Sequence, residues 1–258
     1  MRVFLFRLQW VPGLLLLLVL VGCNLPDLPF LQTQPTPAGS LRPKFINAPA
    51  PALKMDLKIY EDIGCKPDQE GRLRCSVSEP PFDRLGCYEV VPASPLLGGL
   101  KPAAALMLCL LEPQPEAKIS ADDYLFNQGC LAPSYVRYVM YKDRQFTLVK
   151  NLAELKAAFA PIETPEEALS YAMAATGFQA LYGLKDVNMR YLVAEIADTH
   201  VSMINGVYDV TLYSYNTCGC GPHAMNRRIV HVGAQGDVNA DDPLPVWEDP
   251  AQDEVCVD

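Results

Sequence analysis

Residues 199–215, THVSMINGVYDVTLYSY, decide the fold of the second half of this chain. Asn205-Gly206 lies within them, and this dipeptide favours a two-residue β-hairpin turn because both turn positions need positive φ. Apolar and polar residues alternate on either side of it, as they do in strands with one buried face. The stretch therefore predicts two antiparallel strands, Thr199–Ile204 and Val207–Tyr215.

The two-residue turn sets the register of this hairpin and assigns its faces. Met203 lies opposite Tyr208, and we expect the face that contains them to form the core beneath a helix. That face carries Val201, Met203, Tyr208, Val210 and Leu212. The opposite face mixes polar and aromatic groups, so it is either a recognition surface or a solvated face. It carries His200, Ser202, Asp209, Thr211 and Tyr213.

A capped helix precedes the hairpin. Thr164 is placed as an N-cap, Pro165 takes the first helical position and Glu167 follows three residues after Thr164. Gly177 is placed to end the helix. These signals predict a helix over 165–176, with an apolar stripe of Ala168, Leu169, Ala172 and Met173 and with Ala175 beside it.

Further elements complete the C-terminal half. Asn151 begins a second, shorter predicted helix, and Val136–Tyr141 with Gln145–Val149 predict another hairpin. Tyr191–Ile196 and Arg227–Val232 are predicted strands. The predicted fold class is α+β: one or two helices packed on an antiparallel sheet in the C-terminal half, preceded by a disulfide-rich region of strands and loops.

The order of helix 165–176 and later strands that close on Gly236-Asp237-Val238 resembles the PepSY domains of exported bacterial proteins. The resemblance implies a helix-on-sheet architecture and a role as a peptidase inhibitor or a small interaction module. That family has no catalytic motif to match. Pro222 and the cysteines between the later strands depart from its pattern.

The N-terminus has the parts of an export signal. Arg2 and Arg7 give a positive start, and Leu14–Val21 is an apolar run too short to span a membrane. Leu20-Val21-Gly22-Cys23 resembles the lipobox of bacterial lipoproteins. The resemblance implies cleavage after residue 22, acylation of Cys23 and, in a host with an outer membrane, transfer to that membrane. The alternative is an ordinary signal peptide with a chance cysteine.

Four regions follow from these patterns. Residues 1–22 are predicted as the lipoprotein signal peptide, and residues 23–53 as the lipidated cysteine with a proline-rich tether. Residues 54–134 form the cysteine-rich region. Residues 135–258 form the PepSY-like region with an acidic tail.

The remaining cysteines predict disulfides. An even number outside the cytoplasm favours pairing over free thiols. We expect Cys65 to pair with Cys75 and Cys109 with Cys130, whereas Cys218 and Cys220 are too close to pair with each other. One of those two is expected to bind Cys256. The eight candidates are Cys65, Cys75, Cys87, Cys109, Cys130, Cys218, Cys220 and Cys256.

Charge and missing motifs exclude several functions. The net charge is −9 and no basic stripe exists, which excludes nucleic-acid partners. The acidic end of the chain, residues 234–258, is predicted as a solvated tail. Neither a nucleophile elbow, a phosphate-binding loop, a dinucleotide-binding pattern nor a zinc-protease motif occurs in the sequence. The sequence therefore favours a non-enzymatic protein without deciding the point.

Two loops could carry metal chemistry. Cys218, Cys220 and His223 offer soft-metal ligands, with His200 or His231 as a fourth, although an oxidising compartment favours a loop pinned by two disulfides. The segment from residue 237 to residue 248 has the spacing of a calcium loop and resembles the start of dockerin-type repeats. Against it, the sixth position is not glycine, and a post-strand turn is the alternative. Its candidate ligands are Asp237, Asn239, Asp241, Pro243 and Glu248.

The sequence thus predicts an exported protein held at the bacterial cell envelope by a lipid anchor. Its expected role is non-catalytic binding or inhibition of a protein or peptide partner. The alternative is a metal-binding envelope protein, with calcium or a soft metal as the ligand.

Overall fold

The protein is described by a computed structural model over residues 41–113 and 119–257. The predicted signal peptide, Cys23 and the first part of the predicted tether lie outside the described residues. The helices are α1 Lys58–Asp62, α2 Leu152–Phe159 and α3 Pro165–Thr176. The strands are β1 Lys44–Ile46, β2 Lys66–Pro67, β3 Leu73–Arg74, β4 Glu89–Pro92, β5 Ala105–Leu110, β6 Phe126–Gln128, β7 Ser134–Lys142, β8 Gln145–Val149, β9 Arg190–Tyr191, β10 Glu195–Ala197, β11 Val201–Ile204, β12 Val207–Tyr215, β13 Gly219–Cys220, β14 Ala224–Gly233, β15 Val238–Ala240, β16 Leu244–Glu248 and β17 Cys256–Val257.

The predicted α+β class is confirmed, and strands outnumber helices. The first sheet has the order β4-β5-β7-β6, with β8 also paired to β7, and all of its pairs are antiparallel. It contains the predicted hairpin of β7 and β8. Because β7 pairs with β5, this hairpin completes a sheet that the cysteine-rich region begins.

The second sheet has the order β11-β12-β14-β16-β9, with β15 also paired to β14. Its β11–β12 hairpin has the predicted register, with Ile204 opposite Val207 and Met203 opposite Tyr208. Asn205 and Gly206 have φ values of 52° and 81°, as their turn requires. The predicted strand Tyr191–Ile196 is instead two short strands, β9 and β10.

Helix α3 starts and ends as predicted. The Thr164 hydroxyl oxygen accepts a hydrogen bond from the Glu167 N–H, and Gly177 follows the helix with φ 70°. Its burial extends beyond the predicted stripe and covers every residue from Glu167 to Ala175. The reason is that α3 shares one hydrophobic core with side chains of both sheets. Its partners there include Leu106, Tyr138, Tyr208, Val210, Leu212, Val230 and Val232.

A second core covers the other face of the first sheet. Side chains of β5 alternate between the two cores, so that Leu106 lies in the first core and Met107 in the second. Tyr60 of α1 anchors the second core, and its hydroxyl donates to the Val139 carbonyl at 2.9 Å. The cysteine-rich region therefore packs against the sheet that it helps to build.

Four disulfides join all eight candidate cysteines. The predicted Cys65–Cys75 pair is confirmed, as are separate partners for Cys218 and Cys220. The predicted Cys109–Cys130 pair is wrong. The four pairs are Cys65–Cys75, Cys87–Cys109, Cys130–Cys218 and Cys220–Cys256.

The error at Cys109 has a structural cause. Cys109 is fully buried in β5, and Cys87 lies just before the neighbouring strand β4. Cys130 instead follows β6, where it meets Cys218 beyond the end of β12. The disulfides indicate an oxidising, extracytoplasmic compartment. None of the helices in the described part of the chain is long and apolar enough to cross a membrane.

The folded part begins before the predicted end of the tether. Strand β1 pairs in parallel with β10, and the Ala48 N–H donates to the Asp198 carboxylate at 3.1 Å. Asp198 is fully buried and also accepts hydrogen bonds from the N–H groups of Gly183 and Leu184. These bonds outweigh burial, which alone would raise the pKa of Asp198, and hold that pKa below its ordinary range.

The face assignment of the β11–β12 hairpin needs two corrections. Tyr213 and Thr211, predicted on the open face, are buried. The chain between α3 and β11 covers them, and the Tyr213 hydroxyl donates to the Ala197 carbonyl. Met203, predicted in the core, is 60% exposed because it lies on β11, the edge strand of the sheet.

Candidate functional site

A cleft opens where three segments meet between the two sheets. They are residues 126–129 at β6, residues 177–180 after α3, and residues 213–218 at the end of β12. The cleft has two halves of about 310 Å³ each. We call it the inter-sheet cleft. The halves share a wall made of Phe126, Gln128, Gly177, Phe178 and Gln179.

Gly177 shapes this wall. Its left-handed backbone turns the chain out of α3, and a side chain at this position would overlap the Phe126 ring. The turn directs the next residues along the second sheet. There the Gln179 N–H donates to the Tyr213 carbonyl at 2.8 Å, and the Tyr213 N–H donates to the Gln179 carbonyl at 2.9 Å. The wall is therefore held by main-chain hydrogen bonds.

One half of the cleft is mostly apolar. It lies between the first sheet and the C-terminal end of α3. Beyond the shared wall it is lined by Ser94, Leu96, Leu97, Leu108, Tyr138, Met173 and Ala180.

The other half is mostly polar. Hydroxyl and amide groups dominate its surface, and two tyrosine rings add apolar area. Beyond the shared wall it is lined by Asn127, Gly129, Thr176, Tyr213, Ser214, Tyr215, Asn216, Thr217 and Cys218.

No aspartate, glutamate, lysine, arginine or histidine is among the described residues that line either half. Cys218 is held in a disulfide, so it offers no thiol. A guanidinium does lie near the wall, since Arg228 stacks on the Phe178 ring at 4.7 Å from its centre. The lining itself is uncharged in a protein whose net charge is −9.

The edge of β12 is open inside the polar half. Along this edge the Thr211 N–H donates to the His200 carbonyl, and the main chains of Tyr213 and Gln179 exchange two hydrogen bonds. Every second residue of an antiparallel strand directs its main-chain groups to the same edge, so Tyr215 is the next in line. Its N–H and C=O have no partner on that side among the residues described.

A second open edge belongs to β6. Tyr135 of β7 lies opposite Asn127 and accepts a main-chain hydrogen bond from Leu111, on the side away from β6. The alternation of the ladder then directs the N–H and C=O of Asn127 away from β7. Among the described residues, the outward main-chain groups of both strand edges have no partner, and both edges line one cleft.

The Cys130–Cys218 disulfide closes one end of the cleft. It joins the end of β6 to the end of β12 with a Cα–Cα distance of 5.3 Å. Leu131, next to it, is 77% exposed. The disulfide therefore fixes the spacing of the two open edges.

The predicted calcium ligands lie outside the inter-sheet cleft. Asp237 binds the Lys156 ammonium at 2.6 Å, and Glu248 binds Arg190 at 2.9 Å. Asn239 lies in β15 and Pro243 in the link to β16, so the predicted loop is largely two strands. The described residues hold no group of three or more His, Cys, Asp or Glu side chains placed to bind a metal.

Asp241 belongs to a separate cluster. His231 of β14 lies between two carboxylates, with Nδ1 2.7 Å from Asp209 and Nε2 3.1 Å from Asp241. The bond to Asp209, and then the bond to Asp241, raise the pKa of His231 above its ordinary value of 6.5. Calcium at Asp241 would have to compete with the His231 side chain.

The predicted soft-metal loop is occupied by covalent bonds. Cys218 and Cys220 both lie in disulfides. His223 is buried, and its Nε2 is 3.2 Å from the Gly219 carbonyl. The structure therefore favours the pinned-loop interpretation of this segment.

Sequence reasoning missed the cleft because its three walls are far apart along the chain. The pairing of Cys130 with Cys218 is the one signal that places residues 126–130 beside residues 213–218. The lipoprotein and PepSY resemblances rest on residue patterns. No family model, no curated protein and no solved structure matches this chain.

Proposed function

We propose that this protein is a lipid-anchored cell-envelope protein that binds an extended peptide segment in the inter-sheet cleft, without catalysis. Helix α3, packed on the second sheet, supplies a rigid wall for that site. The resemblance to PepSY domains, in which an interaction role is expected, agrees with this proposal.

The unpaired main-chain groups at Tyr215 and Asn127 carry the proposal. An exposed strand edge binds an extended peptide by adding a strand to the sheet, and neighbouring pockets then select side chains. Two such edges border the cleft, one on each sheet. An extended chain in the cleft gains main-chain hydrogen bonds along either edge.

The chemistry of the lining supports binding rather than turnover. General acid–base catalysis needs a group that transfers a proton near neutral pH, and such groups are mostly His, Asp, Glu, Lys, Tyr or Cys. Of these types, the lining among the residues described holds tyrosines and the disulfide-bonded Cys218. Burial raises the pKa of Tyr138, Tyr213 and Tyr215 above the ordinary tyrosine value, further from neutral pH.

The lipid anchor is proposed on the lipobox at Cys23 and on the extracytoplasmic disulfides. Two or more acyl chains give stable membrane attachment, whereas one gives only marginal attachment. We expect wild-type protein to enter the detergent phase of a temperature-induced phase split, and Cys23→Ser to stay in the aqueous phase. Aqueous partitioning of the wild type would contradict the proposed lipid anchor and would not contradict peptide binding in the cleft.

Proline substitution tests the role of the main chain. Asn127→Pro removes an N–H that points away from β7, so the ladder of the first sheet keeps its bonds. Peptides are first selected on the wild type from a displayed library of random 12-residue sequences. They are expected to bind Asn127→Pro about tenfold more weakly, which corresponds to the loss of roughly one hydrogen bond between uncharged groups.

Met203→Pro is the matched control, because it removes an outward N–H from the edge strand β11, away from the cleft. Its affinity for the same peptides is expected to equal that of wild type. Peptides that bind both variants equally well, or no enriched peptide at all, would refute the proposed function.

A further inference from the structure

We infer that the inter-sheet cleft selects an uncharged peptide segment with one large apolar side chain, preferably aromatic. This inference rests on the proposed function and names its ligand class. The side chain enters the apolar half, while the main chain on either side of it lies in the polar half.

Because its lining is uncharged, the cleft disfavours acidic and basic side chains of a ligand. A charged group that leaves water needs an opposite charge or several strong hydrogen bonds to offset the loss of solvation. The lining offers no such opposite charge among the described residues, and the Arg228 guanidinium near the wall is already stacked on the Phe178 ring. Neutral side chains incur no comparable cost.

The apolar half fits a single bulky group. Phe126 and Phe178 form one side, and Leu96, Leu108 and Met173 contribute further apolar surface. Its volume of about 310 Å³ lies at the small end of ligand pockets and is too small to enclose a helix about 10 Å across. An aromatic side chain gains most here, because it buries about 150–250 Å² and pairs with aromatic rings.

The boundary between the halves offers hydrogen-bonding groups to the main chain of a bound peptide. Gln128 and Gln179 belong to the shared wall, and both side chains are exposed. A side-chain amide both donates and accepts, so it satisfies a peptide group without bringing a charge. The residues that flank the buried side chain are therefore expected to be small or polar and neutral.

A series of five-residue peptides with blocked termini tests the ligand class on the full, oxidised chain. Each has Thr and Gln on both sides of a central Phe, Ala, Asp or Lys. By fluorescence polarisation we expect the Phe peptide to bind at least tenfold more tightly than the Ala peptide. The Asp and Lys peptides are expected to bind more weakly than the Ala peptide.

The outcomes separate the two proposals. Binding of all four peptides with equal affinity would overturn the ligand class and leave peptide binding in place. Absence of binding for every peptide, together with failure of the library selection, would overturn the proposed function. Binding of a neutral N-acetylated oligosaccharide in place of every peptide would overturn both.

A filling variant locates the side-chain site. Ala180→Leu places a larger group in the apolar half and is expected to reduce the advantage of the Phe peptide over the Ala peptide to less than twofold. Ala157→Leu makes the same change on the exposed side of α2 and is expected to leave that advantage intact. If the Phe peptide keeps its full advantage over the Ala peptide in Ala180→Leu, the assignment of the apolar half is contradicted. Gln179→Ala, which alters an exposed side chain, then tests the polar half.

Discussion

Position 177 requires glycine for two independent reasons, and the contribution of each to stability can be measured separately. It has a left-handed backbone, and a side chain there would overlap the Phe126 ring. Gly183 has nearly the same φ but open space around its Cα. The pair therefore separates the backbone cost from the cost of overlap.

We expect Gly183→Ala to lower the free energy of unfolding by about 1–2 kcal/mol, which is the cost of a left-handed backbone. Gly177→Ala is expected to lower it by about 3 kcal/mol, because displacement of the Phe126 ring adds to that cost. Urea unfolding measures both. Equal losses would contradict the contact between Gly177 and Phe126.

His231 makes the stability of the second sheet depend on pH. Its pKa is raised in the folded protein, so protonation between Asp209 and Asp241 stabilises the fold. That stabilisation is fully present below the unfolded pKa, about 6.5, and is lost as the pH rises through the raised folded pKa. We expect His231→Gln to remove this decrease in the free energy of unfolding.

His200→Gln is the matched control, since His200 is exposed and its Nδ1 lies near a main-chain carbonyl. It is expected to keep the wild-type pH dependence. A proton NMR titration of His231 provides a second measurement, and a midpoint at or below 6.5 would contradict the two-carboxylate geometry.

At the scale of elements, Ser170 joins α3 to the turn at residues 95–99. It is fully buried, and its hydroxyl donates to the Leu96 carbonyl and accepts from the Gly99 N–H. Ser170→Ala leaves the buried Gly99 N–H and the partly buried Leu96 carbonyl without this partner. We expect a loss of about 2–4 kcal/mol in the free energy of unfolding.

Ser202→Ala, on an exposed strand position, serves as the comparison and is expected to change stability by less than about 0.5 kcal/mol. Because Leu96 lines the apolar half, the Ser170 variant is also expected to weaken binding of the Phe peptide. Stability equal to wild type would contradict the assigned hydrogen bonds.

Elements with local signals could be predicted from the sequence. Thr164, Pro165 and Gly177 bound a helix by themselves, and Asn205-Gly206 sets a hairpin and its register. Each signal acts through neighbours only a few residues away, so no knowledge of the rest of the fold is needed.

Elements formed by distant pairing could not be predicted. Strand β16 contains Pro245, which argues against a strand, but Pro245 lies beside a shift in register between Met225 and Asn226. Proline is tolerated at such irregularities because no ladder donor is required there. Strand β1 likewise exists only through β10, which lies about 150 residues later.

At the scale of the molecule, the Cys130–Cys218 disulfide connects the two sheets across 88 residues of chain. Loop-closure entropy alone gives it about 4–5 kcal/mol of stability. We expect Cys130→Ala with Cys218→Ala to lose that amount in the free energy of unfolding. The same double variant is expected to weaken peptide binding, because the two open edges lose their fixed spacing.

Cys220→Ala with Cys256→Ala removes the other exposed disulfide, which closes 36 residues, and is expected to lose about 3–4 kcal/mol. Its peptide binding is expected to match that of wild type. Unchanged peptide affinity in the Cys130 and Cys218 variant would contradict the role of that disulfide in spacing the cleft.

The four disulfides all join cysteines that are consecutive along the chain. With Cys23 acylated as proposed, a chain that emerges with its N-terminus first brings each remaining thiol its native partner as the next thiol to arrive. A thiol oxidase that links cysteines in order of arrival then reaches the native set without reshuffling. Biogenesis of this protein should accordingly depend on the oxidase and tolerate the loss of a disulfide isomerase.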